Sequence, residues 1–387
     1  MYNYPTLILY ILIILITTCL AKKSQCVKLH PNDIISGFYS KFRFRIGYFY
    51  LTFLIHWFFI AFTNIGTDHE EYLDIIQYRA QTYMEYGMEV GFNGLSYILF
   101  NITHSGEQVI FILKTITMLL FYVAFYRLRF VIDFGLAFFV FNTQVYFQGY
   151  YLLSMQLAIS LIFLAYAFFI YNRYIRGLML CLIASTVHTS AMMVIPLFLL
   201  VYYYNWRKES IKMRYVIINV ILILLIISSF FTILSNALNY SMFEQYGRYE
   251  MTYQQTGSGL MVYFNFTILL YIIYHFYKQR LDYRFFNLAI IFSLYAFCFA
   301  TIGYKVDVFS RMNKYFVSIS MMSIPILYKS IIYNKRSNNQ IKRNNNMIVE
   351  NVIKFYLFYN GILTFNGLIN LKSTSDIAVY HFFNPFI

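Results

Sequence analysis

Charge is scarce in this chain of 387 residues, since Asp, Glu, Lys and Arg make up only 12% of it. Soluble domains ordinarily carry about 25% charged residues, so the scarcity excludes a soluble enzyme. Proline (5) and tryptophan (2) are also rare, whereas tyrosine (40) and phenylalanine (42) are abundant. Long helices with aromatic rings near both lipid–water boundaries have this composition. The chain is therefore predicted to be a polytopic membrane protein.

Several sequence signatures of bound metals and cofactors are absent as well. The four cysteines show no CxxC or CxxH spacing, which implies neither a disulfide framework nor a zinc site. No phosphate-loop glycine pattern, GxSxG, HExxH or CxxCH motif occurs. Asp68 and Glu70 lie two positions apart, but two carboxylates are too few to define a divalent metal site. We expect no metal and no cofactor.

The formal charge of +14 is explained by membrane topology rather than by nucleic-acid binding. The basic residues lie in short loops between apolar runs, which is the pattern that orients membrane helices. Their attraction to anionic lipid is a side effect of that pattern. The predicted partner of the basic residues is the lipid bilayer, with no nucleic acid.

Apolar stretches of about 17 to 25 residues are long enough to cross roughly 30 Å of hydrocarbon. They occur at 4–21, 46–62, 108–126, 130–147, 152–171, 215–234, 260–277, 285–302, 312–331 and 347–366. If these spans alternate, most Lys and Arg residues fall on one side, which is then cytoplasmic and leaves both termini outside. We predict an all-α, multi-pass protein with 10 to 12 transmembrane helices in a single membrane domain, 1–387.

The segment 177–204 is apolar, but both of its flanks are basic and belong on the cytoplasmic side. A single crossing is therefore disallowed, and two short helices near 177–187 and 190–204 are predicted to enter and return, with His188 at the turn. Such broken helices occur at membrane depth only where protein or a wet cavity surrounds them. A lone histidine in an apolar setting is ordinarily a hydrogen-bonded core residue, whereas an ionisable group at membrane depth is a functional candidate. Both interpretations of His188 remain open from the spacing.

Three connecting segments follow from these spans: a large external loop (63–107), a second external loop (235–259) and an Asn-rich cytoplasmic loop (332–346). The loop 63–107 is too long for a simple connector, and its aromatic residues suit stacking on sugar faces. It also holds Asp68, Glu70, Glu71, Asp74, Glu85, Glu89 and Glu107. A solvated loop that opposes the basic inside is the simpler interpretation of these carboxylates.

A series of short motifs occurs in order between about residues 40 and 330. They are Gly66-Thr67-Asp68 with Tyr72, Glu89-Val90-Gly91-Phe92-Asn93, Gln156-Leu157-Ala158, His188-Thr189-Ser190-Ala191 with Ile195-Pro196, and Ser310-Arg311-Met312 with Tyr315-Phe316 and Pro325. Together they resemble the EpsG family of multispanning membrane proteins, a branch of the Wzy-type polysaccharide polymerases.

The resemblance implies a glycosyltransferase that polymerises undecaprenyl-diphosphate-linked oligosaccharide repeat units. The product would be O-antigen, capsular polysaccharide or exopolysaccharide, made at the outer face of the bacterial cytoplasmic (inner) membrane. A chain-length regulator and a flippase are further expected partners. The alternatives are a flippase or other transporter of lipid-linked oligosaccharide, and another membrane glycan transferase such as a ligase or acyltransferase.

The same resemblance suggests roles for particular residues. His188 is expected to orient or deprotonate the acceptor hydroxyl, with Asp68 and Glu89 as rival bases. Relatives often carry Arg ahead of the Gly-Thr-Asp and Gln-Leu-Ala motifs, where this chain has Thr63-Asn64-Ile65 and Ser154-Met155. The predicted substrate-binding residues are therefore Arg311, Arg248, Arg79, Tyr72 and Tyr315.

Overall fold

The computed structural model of the protein describes residues 3–25, 44–65, 68–79, 89–212, 215, 218, 260–278, 283–303, 307–334, 340–369, 382 and 385. Every regular element among these residues is a helix. One isolated antiparallel bridge, between Thr63 and Phe382, is the only β-pairing in the described part of the chain. The predicted all-α class is confirmed.

The described residues form thirteen α-helices. They are α1 (Tyr4–Ser24), α2 (Ile46–Ala61), α3 (His69–Asp74), α4 (Val90–Thr103), α5 (Gly106–Leu128), α6 (Phe134–Gln144), α7 (Leu153–Ile170), α8 (Tyr174–Val187), α9 (Ile195–Trp206), α10 (Leu260–Lys278), α11 (Tyr283–Gly303), α12 (Asp307–Asn334) and α13 (Gln340–Ile369). Helix α3 continues into a π-helical turn, Ile75–Arg79, while 3₁₀ turns follow α6 (Tyr146–Tyr150) and α8 (Thr189–Val194).

Four of the described helices are long and apolar enough to cross a membrane: α1, α5, α7 and α11. Helix α1 illustrates how the sequence sets such a span. Asn3 accepts a hydrogen bond from the Thr6 amide at 3.1 Å, and Pro5 lies in the first turn, where its missing N–H is not needed. Lys22 and Lys23 lie in the last turn, beside the negative end of the helix dipole. The length between these ends is about 31 Å, close to the thickness of the hydrocarbon layer.

The chain divides into two compact units, Met1–Ile195 with Pro325–Ile387 and Pro196–Ile324. In the first unit α7 is the central helix, with 94% of its apolar window buried. It packs against α5 and α8, while α1 packs against α2 and α6. In the second unit α10 packs against α11, where Phe266 and Phe297 stack with ring centroids 3.8 Å apart.

A buried polar network fixes the register of four helices in the first unit. His56 on α2 is fully buried, and its Nε2 and Nδ1 lie 2.6 Å from Asn142 Oδ1 and 2.7 Å from Tyr122 OH. Asn142 Nδ2 donates to Thr17 Oγ1 on α1 at 2.9 Å. Because an unpaired polar group is expensive in an apolar interior, sliding any of these helices would leave a donor or acceptor unsatisfied.

The structure shortens or reshapes several predicted segments. The span 130–147 was expected to be one helix, but α6 runs only from Phe134 to Gln144 and a buried 3₁₀ turn follows it. Glutamine side chains satisfy the irregular backbone there, since Gln156 Nε2 donates to the Val145 carbonyl at 2.9 Å and Gln148 Nε2 donates to the Gln144 carbonyl at 2.7 Å. Hydropathy alone does not place this turn, because its backbone depends on hydrogen bonds from Gln148 and Gln156 that form only in the folded protein.

The predicted break near 177–204 is confirmed, since α8 ends at Val187 and α9 begins at Ile195. The segment 63–107, predicted to be an external loop, is partly helical, because α3, the π-helical turn and α4 lie within it. The predicted loop 332–346 is shorter in the structure, because α12 extends to Asn334 and α13 begins at Gln340. Helix α13 begins in the polar, Asn-rich stretch and continues into an apolar stretch. The loop 235–259 and nearly all of the predicted span 215–234 lie outside the described residues.

Candidate functional site

The ends of four helical segments bring polar side chains together in the first unit. His188 follows the last residue of α8, Glu89 precedes the first residue of α4, and Ser154 lies in the first turn of α7. Tyr72 comes from α3, inside the predicted external loop. This cluster is the candidate site, and three of its four members were predicted from the sequence.

His188 owes its position to the break between α8 and the 3₁₀ turn that follows. Its backbone leaves the helical region, with φ −145° and ψ 116°, while its amide still donates to the Ala184 carbonyl at 2.9 Å. The side chain remains 26% exposed, so it is reachable from outside the helix packing. Its Nδ1 contacts Glu89 Oε1 and lies 3.3 Å from Ser154 Oγ.

Glu89 reaches His188 from a strained backbone position. It has φ 55° and ψ 45°, a left-handed conformation that costs about 1–2 kcal/mol for a residue with a Cβ. Glu89 stands at the N-cap of α4, yet its side chain makes no capping hydrogen bond. The carboxylate is instead paired with the imidazole of His188. Strain of this kind, held in place by surrounding structure, is typical of functional sites.

A glycine permits the close approach that joins these two residues. Gly91 lies in the first turn of α4, against Thr186 in the last turn of α8. A Cβ at Gly91 would lie 2.9 Å from the carbonyl carbon of Thr186, closer than side-chain carbons approach backbone. The predicted motif Glu89-Val90-Gly91 therefore combines a carboxylate with the contact that positions it.

Ser154 connects the imidazole to a phenol. The Tyr72 hydroxyl lies 3.3 Å from Ser154 Oγ, and the Ser154 amide donates to the same phenol oxygen at 3.3 Å. The ring of Tyr72 packs edge-on against Phe92, with centroids 5.8 Å apart. Burial raises the pKa of Tyr72 to about 12, against the opposing effect of its hydrogen bonds with Ser154. The phenol is therefore neutral and able to donate a hydrogen bond at any physiological pH.

Asp68 lies next to this cluster, just before α3. Its charge, like that of Glu89, adds to the rise in the pKa of Tyr72, so both carboxylates act on the same phenol. Asp68 makes no side-chain capping bond to α3. Of the two rival bases, the structure pairs Glu89 with His188.

The paired carboxylate and imidazole define what this arrangement can do chemically. A carboxylate can only accept, so His188 donates Nδ1–H to Glu89, and in the neutral ring the lone pair is then on Nε2. A histidine oriented in this way can take a proton from a hydroxyl, and the carboxylate then stabilises the imidazolium. The cluster is suited to general-base catalysis on a hydroxyl-bearing substrate.

The remaining predicted residues do not all belong to this cluster. Arg311 is exposed near the start of α12, in the second unit. Tyr315 is only 1% exposed, which favours a role in packing rather than direct contact with substrate. Arg79 ends the π-helical turn that follows α3. Arg248 lies outside the described residues.

No group of three or more His, Cys, Asp or Glu residues within the described ranges is arranged to hold a metal ion. Glu70 is exposed on the helix that follows Asp68.

Ser154 is the member of the cluster that sequence reasoning missed. The available signal was the Ser154-Met155 pair ahead of Gln156-Leu157-Ala158, where the family resemblance leads to an expected arginine. A serine hydroxyl carries no signal of its own in a single sequence. Only the packing of α7 against α8 shows that this position faces His188.

Comparison with known proteins gives one result. The family model described as the EpsG family matches residues 46–373, which include every member of the cluster. No curated protein and no solved structure matches the chain. Because the match covers most of the chain, this protein belongs to the EpsG family of Wzy-type polysaccharide polymerase-like membrane proteins.

Proposed function

We propose that the protein is a glycosyltransferase that joins undecaprenyl-diphosphate-linked oligosaccharide repeat units into O-antigen, capsular polysaccharide or exopolysaccharide. The observation that carries this proposal is the pairing of His188 with Glu89 where α8 ends and α4 begins. Membership of the EpsG family supports a polymerase-like activity on glycans. The substrate and the side of the membrane are inferred from that relationship and from the charge pattern.

The proposed reaction forms one glycosidic bond and breaks one bond to phosphate. A hydroxyl of the acceptor unit attacks the anomeric carbon of the growing chain, and the bond from that carbon to the lipid diphosphate breaks. His188 Nε2 takes the hydroxyl proton, while Glu89 stabilises the resulting imidazolium. The lipid diphosphate leaves with the electron pair of the broken bond.

Two further groups would act on charge and orientation. The planar guanidinium of Arg311 suits a departing diphosphate, because it can donate two parallel hydrogen bonds. Arg79 and Arg248 are the other candidate cations for this role. Tyr72, held neutral and bonded to Ser154, would donate a hydrogen bond to a sugar oxygen.

We place this reaction at the outer face of the bacterial cytoplasmic membrane, with both termini external. The asymmetric distribution of Lys and Arg supports this orientation. In a cysteine-free background, a cysteine at Gln81 should react with an impermeant thiol reagent in intact cells, whereas one at Ser36 should not. Labelling at Ser36 in intact cells would reverse the assignment.

Deletion of the gene and complementation test the activity. Cells without the protein should accumulate single repeat units on the lipid, and the wild-type gene should restore long polymer. The His188→Ala variant should accumulate in the membrane normally but restore no polymer. Ser185→Ala is the matched control, since Ser185 lies in the last turn of α8 just before His188, and its hydroxyl donates to the Leu182 carbonyl at 2.7 Å.

The deletion also separates the alternatives. A flippase would leave no exported repeat units in its absence. A ligase or acyltransferase would leave full-length polymer that is unattached or unmodified. Either outcome would contradict the polymerase, and wild-type polymer from His188→Ala would remove the histidine from the mechanism.

A further inference from the structure

A second polar feature lies at the other end of the helical segment that carries Tyr72. It is a pocket of about 430 Å³ between the π-helical turn after α3 and the junction of α4 with α5. Its lining includes two aromatic rings and four polar side chains: Tyr78, Phe100, Gln77, His104, Ser105 and Glu107. No step of the proposed mechanism uses any of these residues.

Hydrogen bonds and close packing hold the residues around the pocket in place. His69 Nε2 lies 3.2 Å from Glu107 Oε1, which ties α3 to the first turn of α5. Gly106 allows the two segments to pack closely, since a Cβ there would lie 3.1 Å from Leu73 and 3.4 Å from Gln77. His104 closes α4 with φ 55°, and its amide donates to the Phe100 carbonyl at 2.7 Å.

The charges and hydrogen-bonding groups of the lining residues favour some classes of ligand over others. A carboxylate from Glu107 disfavours an anion such as diphosphate, and the described residues offer no three-ligand group for a metal. Amide, hydroxyl and imidazole groups instead match the alternating donors and acceptors of a neutral polyhydroxyl compound. The ring of Tyr78 is 72% exposed and provides a face on which a sugar can stack.

The spacing relates this pocket to the catalytic cluster. Gln77 follows Tyr72 by five positions on one helical segment, a separation of roughly 7 Å along its axis. A glycan that contacts both Tyr72 and Gln77 would therefore run along this segment. Both features belong to the first unit.

We infer that this pocket is a sugar-binding subsite, which holds a residue of the oligosaccharide adjacent to the one that reacts. The inference rests on the proposed function, because that function supplies the glycan. The subsite contributes to the binding of the glycan and to its alignment with the reacting groups, rather than to the chemical step. Removing one neutral hydrogen-bonding side chain there is expected to raise KM about two- to tenfold and leave kcat unchanged.

The first experiment measures polymerisation by the purified protein in nanodiscs, with the host's own lipid-linked repeat unit as substrate. Gln77→Ala and Tyr78→Ala should each raise KM by that factor. Asn101→Ala is the matched control, because Asn101 is an exposed amide on α4 that does not line the pocket. An unchanged KM in both pocket variants would overturn the subsite.

A second experiment separates this inference from the proposed function. Saturation-transfer NMR with the free repeat unit, released from its lipid, should detect binding to the wild type and weaker binding to the Gln77→Ala, Tyr78→Ala double variant. Fragments of several repeats, tested in parallel, distinguish the growing chain from the incoming unit as the source of the sugar. Equal signals from wild type and double variant would refute the pocket, whereas failure of the wild type to polymerise would refute the function alone.

Discussion

Substituting Gly91 by Ala tests whether the contact between α4 and α8 positions the catalytic pair. The new Cβ would overlap Thr186 Oγ1 and lie 2.9 Å from the Thr186 carbonyl carbon, so the Thr186 side chain must turn and the two backbones must separate by about 0.5 Å to reach ordinary contact. Overpacking of this kind costs about 1–3 kcal/mol, while alanine recovers at most about 1 kcal/mol of helix propensity. Because Glu89 precedes α4 and His188 follows α8, the separation acts directly on their pairing.

We expect the polymerisation rate of Gly91→Ala to fall by a larger factor than the amount of the protein in the membrane. Misplacing catalytic groups by about 1 Å commonly costs around 10² in rate, so Gly91→Ala should reduce polymerisation about ten- to a hundredfold. The assay is release of undecaprenyl diphosphate by purified protein in nanodiscs, together with thermal unfolding to measure stability. The membrane level of the variant should remain close to that of wild type.

Gly94→Ala is the matched control on the same helix. A Cβ at Gly94 meets nothing within 4 Å, so the substitution should keep wild-type activity and slightly raise stability. A wild-type rate in Gly91→Ala would refute the argument that close helix approach holds Glu89 against His188. An equal loss in Gly94→Ala would assign the effect to helix propensity rather than to the contact.

Three further predictions concern single groups. Glu89→Gln keeps the size of the side chain but removes the charge paired with His188. The turnover of the purified variant should therefore fall about 10²–10⁴-fold. A loss of less than about tenfold would return Glu89 to a structural role. Burial raises the pKa of Tyr72 to about 12, so the rate ratio of wild type to Tyr72→Phe should stay constant from about pH 7 to 10. A ratio that changes near pH 10 would show that the phenol ionises earlier. Arg311→Lys keeps a positive charge but loses the bidentate fork, and cells carrying it should make at least about 10²-fold less polymer, as measured on gels. Normal polymer from this variant would move the diphosphate contact to Arg79 or Arg248.

The amino-acid sequence by itself determined the class of the protein and most of its candidate catalytic residues. Apolar runs of membrane length predict helices because the bilayer demands internally satisfied backbone, and α1, α5, α7 and α11 follow from that constraint. Basic flanks on both sides of one apolar segment predicted the break at His188. Glu89 and His188 both lie in motifs that resemble the EpsG family, which is why both were identifiable before their pairing was known.

The tertiary structure decided which of these groups meet and what holds them. Ser154 lies 34 positions before His188 and 82 after Tyr72, and no local pattern links residues so far apart. The need for glycine at position 91 likewise comes from a backbone on another helix. The backbone of the 3₁₀ turn after α6 is held by hydrogen bonds from Gln148 and Gln156, which hydropathy does not report. Helix formation and membrane insertion depend on composition along the chain, whereas the geometry of the site depends on contacts that exist only after the helices pack.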